Sequence, residues 1–174
     1  MKLSRPNFFQ IVLGSLILAF KERFSHRYFN PPAKLGKYSL VKRITKGYRF
    51  KNTAVAVYGY QSKKYLVKLW HGRVRDMKYF FLVDEFLSTK ILWGLVKKHP
   101  AVGFKVPQPV EVISSKTLFA SIYEFIPGRS LQDYSQNHQA KVISQVINGL
   151  TSLSTDLDPK TRSGFSARRP VLYL

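Results

Sequence analysis

Apolar and polar positions change rhythm along the chain, and each rhythm predicts a different element. From Lys37 onward short strands are expected. Tyr38–Ile44 mixes apolar with basic residues, Thr53–Tyr58 is rich in β-branched and aromatic residues, and Tyr65–Trp70 forms a third run. Gln61-Ser62-Lys63-Lys64 predicts the hairpin turn between the last two, giving an antiparallel meander. Val74–His99 then switches to helical spacing, with Met77, Phe80, Phe81, Asp84, Leu87, Ile91 and Leu95 on one stripe, and Pro100 stops it. Val106-Pro107-Gln108-Pro109 reads as an extended link. Val110–Ile113 and Leu118–Phe125 read as two more strands around Ser114-Ser115-Lys116. Helical spacing returns over 138–155, through Val142, Val146, Ile147, Leu150 and Leu153. No internal repeat is present. The order predicts an α+β fold: a five-stranded antiparallel sheet with one packed helix over 34–126, the beginning of a helical second part over 127–174, and a helical arm over 1–33.

The arm is the most apolar stretch. Phe8–Phe20 is interrupted by Gln10, Gly14 and Ser15 and flanked by Lys2, Arg5, Lys21, Arg23 and Arg27. A helix over that run is roughly 20 Å long against a hydrocarbon core of about 30 Å, so it is too short to span a bilayer. No small-x-small cleavage site follows it. Two readings of the arm remain: a helix packed on the domain, or an interfacial helix whose basic flanks meet anionic lipid. Pro31-Pro32 ends the segment.

Composition narrows the partners. The chain has 174 residues with 29 Lys+Arg against 9 Asp+Glu, a formal charge of +20. That excess attracts polyanions such as nucleotides, nucleic acid or anionic lipid and does not specify a fold. Cysteine is absent, which excludes disulfides, thiolate metal sites and cysteine nucleophiles and fits a reducing, cytoplasmic setting. His26, His71, His99 and His138 have no metal-ligand spacing.

The candidate chemistry centres on Lys68. Strand alternation puts Leu66, Lys68 and Trp70 on one face. A lysine between two large apolar neighbours either snorkels to water along the sheet or meets an anion. The helix that follows carries Asp84 and Glu85 inside an apolar stretch, where a carboxylate seeks a cation. Asp84 shares the most apolar stripe. Glu85 lies one position round it, with a longer reach, so either acid is a candidate partner.

Tyr65–Trp70, Glu85, Val106-Pro107-Gln108-Pro109 and Ser121-Ile122-Tyr123-Glu124-Phe125-Ile126-Pro127-Gly128-Arg129-Ser130-Leu131 together resemble the aminoglycoside-phosphotransferase-like branch of the protein-kinase-like fold. In that family a V-P-x-P link precedes a strand that runs into an E-[YF]-[IL]-x-G-x-x-L hinge. The resemblance covers roughly residues 35–155 and implies an ATP-binding lobe. It implies that Lys68 contacts the α/β-phosphates and that Glu85 orients it. Tyr123 would stand at the back of the adenine pocket. Glu124 would offer its carbonyl and Ile126 its N–H to the adenine edge. Gly47, in Lys46-Gly47-Tyr48-Arg49-Phe50, occupies the phosphate-loop position as a single glycine rather than a G-x-G-x-x-G run.

The family also needs an H-G-D-type loop, a downstream Asn and a second Asp for magnesium. No histidine here stands two residues before an aspartate, and Asp133, Asp156 and Asp158 are the acids that follow the hinge. No catalytic residue and no metal ligand is therefore assigned, and magnesium is expected with a second lobe. The apolar end Pro170-Val171-Leu172-Tyr173-Leu174 reads as an element cut short, with the catalytic half expected beyond it. The resulting expectation is the nucleotide-binding front part of a small-molecule phosphotransferase, inactive by itself, its phosphate acceptor unspecified. The alternative is a basic non-enzymatic module. One form binds nucleic acid through stretches such as Tyr48-Arg49-Phe50-Lys51, without a recognised RNA-binding signature. The other is peripheral to a membrane through residues 1–30.

Overall fold

The computed structural model describes residues 13, 16, 29–44, 52–72, 77–128 and 131–154, the side chains of 77–81 and 131 excepted. Two compact units are present. One comprises 1–87 and 108–125, the other 88–107 and 126–174.

The first unit is built on a six-stranded antiparallel sheet in the order β1-β2-β3-β4-β6-β5. The strands are β1 (Lys34–Leu35), β2 (Tyr38–Arg43), β3 (Thr53–Tyr60), β4 (Lys63–His71), β5 (Pro109–Ser114) and β6 (Leu118–Glu124). The α+β class and the antiparallel sheet agree with the sequence expectation, and the count of five strands is corrected to six. The added strand is β1, two residues long, and no periodicity can show in so short a stretch. Gly36 makes it possible: its φ of 57° turns the chain so that Leu35 faces Tyr38 across a tight hairpin. The β3–β4 turn is also shorter than expected. Gln61 and Ser62 alone form it, at φ of 48° and 62°, so Lys63 and Lys64 join the strand and Tyr60 pairs with Lys63.

The two faces of the sheet have different fillings. The inner face carries Leu35, Tyr38, Ala54, Ala56, Tyr58, Val67, Leu69, Ala120 and Ile122, all buried. Alanines on β3 and β6 leave room for the tyrosine rings. Tyr38 meets Tyr65 edge-on at 5.0 Å and Tyr60 at 5.7 Å. The Tyr58 phenol donates to the Pro32 carbonyl at 2.8 Å, which anchors the chain entering the sheet. The sheet is rolled into a half-barrel. Its roll is visible in one contact: Tyr38 on β2 donates its phenol proton to Glu111 on β5, although three strands lie between them in the sheet order. Lys37 Nζ reaches the same carboxylate at 3.1 Å.

The outer face receives the first half of α1 (Met77–Lys98). Val83 packs against Trp70 and Phe119, with Leu82, Leu87 and Val112 around them. Trp70 and Phe119 are 1% exposed, and burying each stabilises the unit by about 1.5–3 kcal/mol. The expected helical stripe over Met77, Phe80 and Phe81 lies outside the described side chains.

In the second unit α2 (Gln136–Ser154) buries Gly149 and Leu153. A Cβ on Gly149 would lie 2.6 Å from the Phe104 ring and 2.8 Å from the Val102 carbonyl oxygen, so the helix approaches that turn as closely as glycine allows. The Gln139 amide donates to the Tyr134 carbonyl at 2.7 Å, and Tyr134 stacks on His138 at 4.6 Å.

Of the arm, Leu13, Leu16 and 29–33 are described: Leu13 and Leu16 are helical and exposed, and 29–33, with Pro31-Pro32, are not helical. The expectation of a helix over 8–24 otherwise falls outside the described residues, as do the Gly47 loop and the basic tail. Among the described residues no helix is long and apolar enough to cross a membrane.

Candidate functional site

β4 and β6 are hydrogen-bonded neighbours, and their register sets Lys68 opposite Ser121 and Leu66 opposite Tyr123. Cross-strand partners share a face. Lys68, Ser121 and Tyr123 therefore stand together on the outer face, the one that α1 covers. Glu85, on the first half of α1, ion-pairs with the Lys68 ammonium. The two side chains are 22% and 31% exposed, so the pair is sheltered from water without being sealed off. The choice left open between Asp84 and Glu85 resolves to Glu85 for this contact, with Asp84 half-buried on the same turn.

Aromatic rings enclose the pair on one side. Lys68 Nζ lies 6.0 Å from the centre of the Tyr123 ring, and Phe86, next to Glu85 on the helix, tilts against that ring at 5.7 Å. The contact adds a modest cation–π attraction and restricts where the ammonium can point. Ser121 is fully buried, and its Oγ has no hydrogen-bond partner among the described residues. A buried hydroxyl left so costs about 1–3 kcal/mol unless something meets it. Sequence reasoning passed over Ser121. The signal was available: it is the one aliphatic hydroxyl in Leu118-Phe119-Ala120-Ser121-Ile122-Tyr123, on the same face as Phe119 and Tyr123.

The remaining expected positions fall as follows. Tyr123 is 2% exposed and belongs to the wall of the pair. Glu124 is exposed at the end of β6, and its N–H donates to the Gln108 carbonyl at 2.8 Å. The next residue, Phe125, donates its N–H to the Lys64 carbonyl at 3.2 Å, so backbone bonding to β4 continues one residue past the strand. The extended link Val106–Pro109 thus feeds β5 and also brackets the exit of β6. Ile126 is exposed. Gly47 lies outside the described residues. Among the described residues no three His, Cys, Asp or Glu side chains come together as a metal ion would need.

Taken together, the arrangement is a fixed cation on a rigid sheet, aimed by a helix carboxylate, beside a buried hydroxyl. A cation so placed is of a kind that meets anions. No protein-family model matches the chain, and neither a curated protein nor a solved structure matches it.

Proposed function

We propose that the first unit binds a nucleoside triphosphate, with Lys68 on its phosphates and Glu85 holding the lysine in place. The Lys68–Glu85 ion pair carries this reading. A carboxylate on a helix that fixes a strand lysine costs two side chains their freedom. On a surface such a pair contributes about 0–1 kcal/mol, too little to explain its sheltered position by stability alone. Orienting a cation for phosphate oxygens does explain it. In the kinase-like resemblance the Glu124 carbonyl and the Ile126 N–H form the adenine-facing edge, and the Glu124 and Phe125 N–H groups are bonded to neighbouring segments. ATP is the proposed ligand. Transfer to a small-molecule acceptor would need a base and metal carboxylates that the resemblance places in a second lobe.

The test is ATP titration of the purified chain by calorimetry, with Lys68→Met and Glu85→Gln alongside. A charge-assisted contact is worth about 1.5–3 kcal/mol, so Lys68→Met should weaken ATP roughly ten- to hundredfold. Glu85→Gln should weaken it less, and both variants should melt close to the parent. Equal ATP affinity in parent and Lys68→Met, or no binding by the folded parent at millimolar ATP, refutes the assignment.

A further inference from the structure

At the opposite end of β4 from the Lys68 pair, three local irregularities converge. Val41 is the extra residue of a bulge in β2: Leu40 pairs with Tyr58 and Lys42 with Val57, which leaves Val41 without a partner across the ladder. Bulges re-aim side chains, and Val41 stands 57% exposed. Gly59, across from Ser39, supplies a gap in β3, since a Cβ there would lie 3.2 Å from Val41 Cγ2. The β3–β4 turn then places Gln61 and Ser62 in left-handed backbone, where glycine or asparagine is the unstrained choice. Strain kept in a turn that glycine would relieve is a pointer to function rather than to stability.

Around these features lies a shallow hollow of about 420 Å³ whose cations are Lys37, Lys63 and Lys64 and whose hydroxyls come from Ser39, Tyr60 and Ser62. The register carries its surface further along β2. Lys42 and Ile44 stand on the same outer face as Ser39, because Lys42 pairs with Val57 and the Ile44 N–H bonds the Val55 carbonyl. Ile44 is 49% exposed. The result is a face in which lysines alternate with exposed aliphatic side chains.

We propose that this face docks on an anionic membrane, with Lys42 and Lys64 on lipid phosphates and Val41 and Ile44 entering the headgroup layer. The alternation of cations with aliphatics favours a lipid surface over a nucleic acid, for which exposed rings would be needed to stack on bases. Tyr60 is already engaged, edge-on to Tyr38 and under the Lys37 ammonium at 5.2 Å. The hollow is open and shallow, suited to a headgroup presented from a plane. The net charge of +20 gives the long-range attraction. The proposal does not depend on nucleotide binding.

The experiment is sedimentation of the full chain with phosphatidylcholine vesicles, with and without about 30 mol% phosphatidylserine, beside a fluorescent single-stranded RNA assay at matched salt. The parent should bind the anionic vesicles and not the neutral ones. Lys42→Gln/Lys64→Gln should lose roughly tenfold or more of that binding at an unchanged melting temperature, because each surface lysine contributes about fivefold. Val41→Asp should lose vesicle binding as well. Unchanged vesicle binding in the double variant overturns the proposal. So does vesicle binding that Val41→Asp leaves intact while the lysine variant loses RNA, since the face would then belong to nucleic acid.

Discussion

Two lysine–glutamate pairs lie on opposite faces of one sheet and differ in setting. Lys37–Glu111 sits at the seam where the rolled sheet brings β2 and β5 together. Lys68–Glu85 joins a central strand to the helix outside. The first pair is the more exposed, at 50% and 38%, against 22% and 31% for the second. Yet the exposed pair has the closer support: the Tyr38 phenol donates to Glu111, and the Tyr38 and Tyr60 rings lie under the Lys37 ammonium at 5.3 and 5.2 Å. The sheltered pair lies beside a buried hydroxyl with no protein partner among the described residues. A charge pair completed by its neighbours closes structure. The proposed nucleotide contact concerns the second pair alone.

The comparison breaks most visibly through stability. Tyr38→Phe keeps the buried ring and removes the donor to Glu111, which should cost about 1–2 kcal/mol in denaturant unfolding. Glu85→Gln should cost less than that and register in ATP affinity instead. If Glu85→Gln proves the more destabilising of the two, the outer pair is structural and the contrast is reversed.

Acid and alkaline limbs sharpen it. The Glu111 carboxyl is held below the usual carboxylate range by the Tyr38 hydrogen bond first, against the opposing effect of burial, with Lys37 assisting. A depressed carboxyl contributes stability that is present above its unfolded value, near pH 4.3, and is lost as pH falls through the folded value. Tyr38→Phe should therefore flatten the loss of stability below about pH 4.3. At the other limb, burial chiefly raises the Tyr38 phenol well above its ordinary value and pushes Tyr58 up to about 12. Both phenols thus contribute stability present below about pH 10 and lost as pH rises toward their folded values. Thermal melts across pH check both limbs. The smallest expected effect is that of Lys37→Met, under about 1 kcal/mol, because the lysine is half in water.

The strands and the first helix were legible because β-branched runs and a period near 3.6 survive in short windows, as in Thr53–Tyr58 and at Leu87; Val83, which the helix buries against Trp70 and Phe119, was not on the expected stripe. That Lys68 meets the acidic pair of the helix was legible for the same reason: the two periods place these groups on facing surfaces. The choice of Glu85 over Asp84 was not, since it depends on side-chain reach and the angle at which α1 crosses the sheet. The Tyr38–Glu111 bond joins positions 73 apart and arises from the roll of the sheet, which no local pattern encodes. β1 was missed because two residues carry no rhythm, and the shortened β3–β4 turn because Gln61-Ser62 lacks the glycine that usually marks one.

The seam also bears on what happens between molecules. A sheet that is rolled but not closed by backbone bonds keeps two free edges, and each is a template on which another chain can add a strand. Here one edge is β1, too short to template much. The other is β5, which opens with Pro109, is irregular between Pro109 and Glu111, and carries a charge turned toward the inner face. Each of these discourages strand addition. With Glu111 replaced by an apolar residue, the edge would lose its charge and its tether together. The first symptom would be turbidity that rises with protein concentration, at temperatures where the dilute protein is still folded.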